Sequence, residues 1–121
     1  MKAILHREFG GPEVLEVSNN VEIPKIEKDE VLIKVHAAGI NRPDILQRSG
    51  GYPPPPGVST ILGLEVSGEI VDVGEDINKN LLNTKVCALV PGGGYAEFVK
   101  CHTSTILPIP VSYTHLTLPT T

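Results

Sequence analysis

Glycine and proline interrupt this chain so often that long helices have no room to form. They number 12 and 11 among 121 residues, about a fifth of the chain against an average usage of roughly 12%. Short alternating runs lie between the breaks. Residues 30–40 show the alternation best, with Val31, Ile33, Val35 and Ala37 on one face and Leu32, Lys34 and His36 on the other. A period of two over this length belongs to a half-buried strand. Residues 2–6 and 14–17 read as a hairpin about the Gly10-Gly11-Pro12 turn. Residues 21–24 form a short extended piece, and residues 25–30, charged at five positions of six, form a solvated loop. Further strands are expected over 66–73, 85–89 and 94–101, with a polar loop over 75–83 and a turn at Pro91-Gly92-Gly93-Gly94. Gly68 inside its strand signals a bulge or a close approach of backbones. Residues 41–48 suit a short helix, with Asn41 as N-cap, Pro43 in the first turn and Gly50-Gly51 as the stop. The expected class is one mainly β domain with one or two short helices.

Charge and cysteine content exclude several functions. Ten Lys and Arg stand against 14 Asp and Glu, a formal charge of −4 without a basic cluster, which argues against a nucleic-acid partner. No apolar run approaches the roughly 20 residues of a membrane span, and the first eight residues turn charged too early for a secretory signal. Cys87 and Cys101 form no close motif, so neither a disulfide framework nor a metal knuckle is expected and a reducing compartment is the default.

Chemistry-bearing motifs are few. Gly92-Gly93-Gly94 invites a phosphate-loop reading, yet strand sequence follows it rather than the helix a dinucleotide fingerprint needs. His6, His36, His102 and His115 are scattered, and adjacent Cys101 and His102 would face opposite sides of a strand. No nucleophile elbow is present. Glu65 follows the Leu62-Gly63-Leu64 turn among apolar neighbours and reads first as a structural hydrogen-bond acceptor. Pro53 to Pro56 form a stiff polyproline stretch. A ligand for an SH3-type domain would carry flanking basic residues, which are missing, so a rigid loop holding Tyr52 is the better reading.

Three blocks carry further information: Ala38-Gly39-Ile40-Asn41-Arg42-Pro43-Asp44, Gln47-Arg48-Ser49-Gly50-Gly51-Tyr52-Pro53-Pro54-Pro55-Pro56-Gly57, and Ile61-Leu62-Gly63-Leu64-Glu65-Val66-Ser67-Gly68. With Pro91-Gly92-Gly93-Gly94-Tyr95-Ala96-Glu97-Phe98, they resemble the medium-chain dehydrogenase/reductase superfamily, in particular its zeta-crystallin-like, PIG3-type quinone oxidoreductase branch. The resemblance runs from Met1 to about Pro110. It implies an incomplete GroES-like, β-barrel-type catalytic domain over residues 1–110, lacking the Rossmann domain that follows in the family. Zinc-dependent alcohol dehydrogenases carry Cys where this chain has Asn41, His where it has Leu64, and a four-cysteine loop where it has residues 75–83. The resemblance therefore places the chain in the zinc-free branch.

By the same resemblance, the parent protein transfers hydride from NADPH to a quinone or activated enone, and the isolated chain is inactive. Asn41 is assigned to the nicotinamide-ribose side of NADPH and to the active-site wall, and Tyr52 to the quinone, with a ring face and a phenolic donor to offer. Arg42 and Gln47 are secondary cofactor candidates. Asn41 as a mere cap and Tyr52 as mere packing stay open beside these roles. The partner is a small-molecule quinone, with no nucleic acid and no membrane. The parent is expected to be a homodimer, and the location cytoplasmic with a mitochondrial role left open. Two departures from the family stand out. A Gly-Asp pair is missing near Asn83-Thr84-Lys85-Val86, which puts that turn's geometry in question. Residues 111–121, with four threonines and no helical pattern, are expected to be a non-native tail. A free-standing GroES-like binding module without catalysis is the alternative reading.

Overall fold

The computed structural model describes residues 1–51 and 58–109. Tyr52, the polyproline stretch and the 111–121 tail lie outside the described residues. The strands are β1 (Ala3–His6), β2 (Leu15–Ser18), β3 (Glu30–Ala38), β4 (Glu65–Val73), β5 (Lys85–Leu89), β6 (Phe98–His102) and β7 (Ile106–Pro108). One α-helix, α1 (Arg42–Ser49), and three short 3-10 turns accompany them among the described residues. The mainly β expectation is met.

β1 and β2 form the antiparallel hairpin expected from the sequence, Ala3 opposite Ser18 and His6 opposite Leu15. The other five strands form a sheet in the order β6-β3-β4-β5-β7. Its two edge strands are joined by Thr103–Thr105 alone. The four Cα steps from His102 to Ile106 reach roughly 14 Å at full stretch. Four strand spacings in a flat sheet would need roughly 19 Å. The sheet must therefore curl until its edges approach, which makes it barrel-like.

The inward side chains fill that curl. Val31, Ile33, Val66, Ile70, Val86, Ala88, Val90, Val99 and Cys101 form one buried cluster. Each large aliphatic group so buried contributes about 1.5–3 kcal/mol. Alternation dictates the membership: Val31 and Ile33 come from one face of β3, Val86 and Ala88 from one face of β5. Gly68 pairs with Val35, where the register of β3 on β4 slips before Ala37. A β-carbon at Gly68 would run into the carbonyl oxygen of Lys34, so the close approach expected there is real.

Three details differ from the sequence reading. The 94–101 strand begins only at Phe98. The amides before it turn to other partners, Tyr95 N–H donating to Leu62 O and Glu97 N–H to Lys2 O, while the Glu97 carbonyl still accepts from Val35 N–H of β3 at 2.8 Å, and Ala96 bridges Ala3. The polar loop contains a 3-10 turn, Lys79–Leu81, opened by the Asn78 side chain accepting from Asn80 N–H at 2.8 Å. The turn in question before β5 closes with Asn83 at φ 67°, the one left-handed non-glycine residue among the described residues. Asparagine tolerates that conformation better than other side chains, so this turn needs no glycine.

Candidate functional site

β3 outruns its neighbour. β6 pairs with it from Glu30 to Lys34, and the far end of β3 lines a cleft with β4, β5 and β7 and leads through Gly39 into α1. The amide of Gly39 donates to the backbone carbonyl of Glu65 at 2.9 Å, which pins this exit to the start of β4. Asn41 then sits in extended backbone (φ −128°, ψ 159°) as the N-cap of α1. Gly50 ends the helix in the left-handed conformation at φ 95°, and Gly51 N–H returns to Leu46 O at 2.8 Å. Start and stop signals both act as the sequence suggests.

Arg42 is exposed at the first helical position, and Asn41 is half-buried beside it. Gln47 is turned inward and only 3% exposed. It lies five positions after Arg42, which puts the two on different sides of the helix. The structure thus groups Asn41 with Arg42 at the helix start and sets Gln47 apart. Tyr52 falls outside the described residues.

Asp44 organises this corner. It is 2% exposed, and its Oδ2 accepts from the backbone N–H of Asn41 at 3.0 Å and from the phenolic O–H of Tyr95 at 2.6 Å. Its Oδ1 is buried without a hydrogen-bond partner. Burial, and after it the hydrogen bond and charge of Asp44, push the Tyr95 phenol above its ordinary range. The sequence reading assigned neither residue a role. An acid three residues after an N-cap is a capping signal, which would have pointed to Asp44. Tyr95 lies 51 positions away, and no local pattern announces that contact.

Tyr95 is itself held by the glycine turn. Gly93 N–H donates to Ile61 O at 2.7 Å, Gly94 N–H to Gly63 O at 3.1 Å and Tyr95 N–H to Leu62 O at 2.9 Å. The amides that a phosphate would need are therefore consumed by carbonyls of the 61–63 loop. The turn is a structural joint between two loops.

The cleft beside Gly39 measures about 770 Å³ and is lined by Ala37, Ala38, Glu65, Cys87, Leu89 and Leu107, among others. Its walls are mostly apolar. Glu65 corrects the sequence reading. Its side chain stands exposed at the start of β4, with its carboxylate against Gly39, and the acceptor used for structure is its backbone carbonyl. Strand alternation explains this, because Val66 takes the inward position. Among the described residues no three His, Cys, Asp or Glu side chains converge in a way that would hold a metal ion. No helix among them is long and apolar enough to cross a membrane.

The alcohol dehydrogenase GroES-like domain family matches residues 27–111. The chain belongs to this family. Within it, the chain is 40% identical over 111 residues to quinone oxidoreductase from Mus musculus, an alignment covering 91% of this chain and 34% of that protein. The structure of the quinone oxidoreductase from Coxiella burnetii superposes with a TM-score of 0.78 at 33% identity, covering 89% of this chain and 36% of that one. Quinone oxidoreductase from Escherichia coli, solved with NADPH, gives 0.76 at 28% identity, covering 91% and 33%. This GroES-like domain thus spans about a third of the length of the curated relatives it matches, and the superfamily read from its motifs is confirmed.

Proposed function

We propose that the protein containing this domain transfers hydride from NADPH to a quinone or a similarly activated enone, without a metal. The 40% identity to a quinone oxidoreductase across nearly the whole chain carries the reading. The geometry supports it. An apolar cleft suits a flat conjugated substrate, and Gly39, which lines it, is followed two residues later by Asn41 at the start of α1. NADPH, when bound, supplies the hydride. The residues present fit only one end of such a cofactor. Asn41 and Arg42 offer donors for its nicotinamide-ribose side, Tyr52 is assigned to the quinone, and Gln47 is the weakest of the four. The glycine turn has spent the amides of Gly93, Gly94 and Tyr95, and this reading assigns the phosphates to the Rossmann domain that follows in the family. A quinone needs little activation, because the charge it gains spreads over a conjugated ring. The task left to the domain is to hold that ring in place, exclude water and direct donors at the developing charge. We further assign residues 1–110 to this domain and 111–121 to a non-native tail.

The test is oxidation of NADPH by the full-length protein in the presence of benzoquinone, with and without a chelator. Quinone-dependent turnover that the chelator leaves unchanged is expected, with none from the 121-residue chain alone. Absence of quinone-dependent turnover in the full-length protein overturns the reading. Turnover abolished by the chelator overturns its metal-free part.

A further inference from the structure

We propose that Asp44 is the positioning residue for Asn41, and that it holds Asn41 in register with the glycine turn through Tyr95. This rests on the assignment of Asn41 to the cofactor side made above.

A helix cap alone does not require this arrangement. In a capping box one carboxylate oxygen accepts from the N-cap N–H, and such boxes work well in solvent. Asp44 instead is 2% exposed, and the same Oδ2 that takes Asn41 N–H at 3.0 Å also takes Tyr95 O–H at 2.6 Å. Its other oxygen is buried without a partner. A buried, half-satisfied carboxylate is a poor source of stability, since an apolar pair of the same shape would serve the core better. Orphaned buried polar atoms are rare and mark places where geometry or function outweighs stability. What Asp44 secures is geometric. Asn41 follows Gly39 and Ile40 out of β3, and Tyr95 belongs to the turn locked onto the 61–63 loop by three backbone hydrogen bonds. A single oxygen joins them, so the placement of the Asn41 backbone follows the turn. Tyr95 stays protonated in this bond, as a donor to a carboxylate must.

The experiment uses the full-length protein and reads NADPH dissociation by nucleotide fluorescence, together with KM for NADPH and kcat. The variants are Tyr95→Phe, Asp44→Asn, Asn41→Ala and the double variants Asn41→Ala/Tyr95→Phe and Asn41→Ala/Asp44→Asn. Tyr95→Phe removes one oxygen from the chain and leaves Asp44 and the cap in place, so it stays informative should Asp44→Asn fail to fold. Tyr95→Phe is expected to weaken NADPH binding by roughly 5-fold and Asp44→Asn by roughly 5- to 20-fold, with kcat changed less than KM. In the Asn41→Ala background each should add less than about 2-fold, because residues acting through one another are not additive. A purely structural Asp44 would lower the melting temperature and leave the NADPH dissociation constant within about 2-fold, or add its full effect to Asn41→Ala. Either result overturns the proposal while leaving the Asn41 assignment intact. NADPH binding unchanged in Asn41→Ala itself overturns that assignment, and this proposal with it.

Discussion

Replacing Gly63 with alanine strikes the joint on which the candidate site rests. Gly63 has φ +108°, and a β-carbon there would lie 2.7 Å from both the Cα of Gly94 and the backbone N of Tyr95. Ordinary contact begins near 3.4 Å, so the two loops must part by roughly 0.7 Å. Flexible side chains cannot absorb that shift, because the three nearest atoms met are all backbone. The left-handed backbone costs an alanine about 1–3 kcal/mol. Parting the loops weakens the bonds from Gly93, Gly94 and Tyr95, each contributing about 0.5–1.5 kcal/mol. Together the loss should reach about 3–5 kcal/mol, a large share of the roughly 5–15 kcal/mol typical of a domain. Urea unfolding of the full-length protein, with the GroES-like domain's transition followed, measures it. Gly51→Ala is the control, since among the described residues its added carbon would meet only Leu46 O, at 3.7 Å, and should change stability by less than about 0.5 kcal/mol. A Gly63→Ala loss below about 1 kcal/mol, or one equal to the Gly51→Ala loss, would refute the reasoning that this contact is tight and rigid.

Other expectations follow from the same contacts. Tyr95→Phe should destabilise the fold by about 1.5–3 kcal/mol, the range for a hydrogen bond to a charged group, and chemical denaturation at neutral pH checks it. The phenol of Tyr95 is pushed up in the fold, so its contribution is complete below the unfolded value of about 10 and fades as pH rises beyond that. The wild type should therefore lose stability above about pH 10 more steeply than Tyr95→Phe, and parallel pH profiles would sink the assignment. In the 121-residue chain, iodoacetamide should label Cys87, which is exposed, at least about 10-fold faster than Cys101. Burial pushes the Cys101 thiol up, and mass spectrometry of the labelled peptides would expose equal rates if the burial were wrong. Leu89 and Leu107 are 64% and 69% exposed on the cleft wall, an adhesive surface in an isolated chain. Leu89→Lys with Leu107→Lys should raise the monomer fraction in size-exclusion chromatography, and an unchanged profile would mean that association uses another face.

Periodicity made the strands legible wherever one side chain in two is buried, as at Val31, Ile33, Val86 and Ala88. Cap chemistry did the same for α1 between Asn41 and Gly50. Both signals are local, and both survived because neighbouring residues decide them. The errors share the opposite cause. Glu65 has apolar neighbours in sequence, but alternation turns it outward while Val66 goes in. The 94–101 strand looked continuous because nothing in Tyr95-Ala96-Glu97 reveals that its amides serve Leu62 and Lys2 in place of β3. Asn83 in a left-handed turn was not foreseen where a glycine was expected. Of the candidate site, Asn41 and Arg42 lie together as neighbours in sequence must, whereas Asp44 and Tyr95 meet only because β3 pairs antiparallel with the distant β6.

The strand order also sets a timetable for synthesis. β3, β4 and β5 follow one another along the chain and can pair as they emerge. Both flanks of this meander stay bare until residues 98–108 arrive, because β6 seals one side and β7 the other. Contacts between segments so far apart in sequence are slow to form, and unpaired strand edges recruit other chains. A nascent chain stalled or cut before Phe98 would thus leave the edges of β3 and β5 bare at once, whereas residues 98–108 cover both. Pulse-labelled chains released before and after that point should differ sharply in their demand for chaperones.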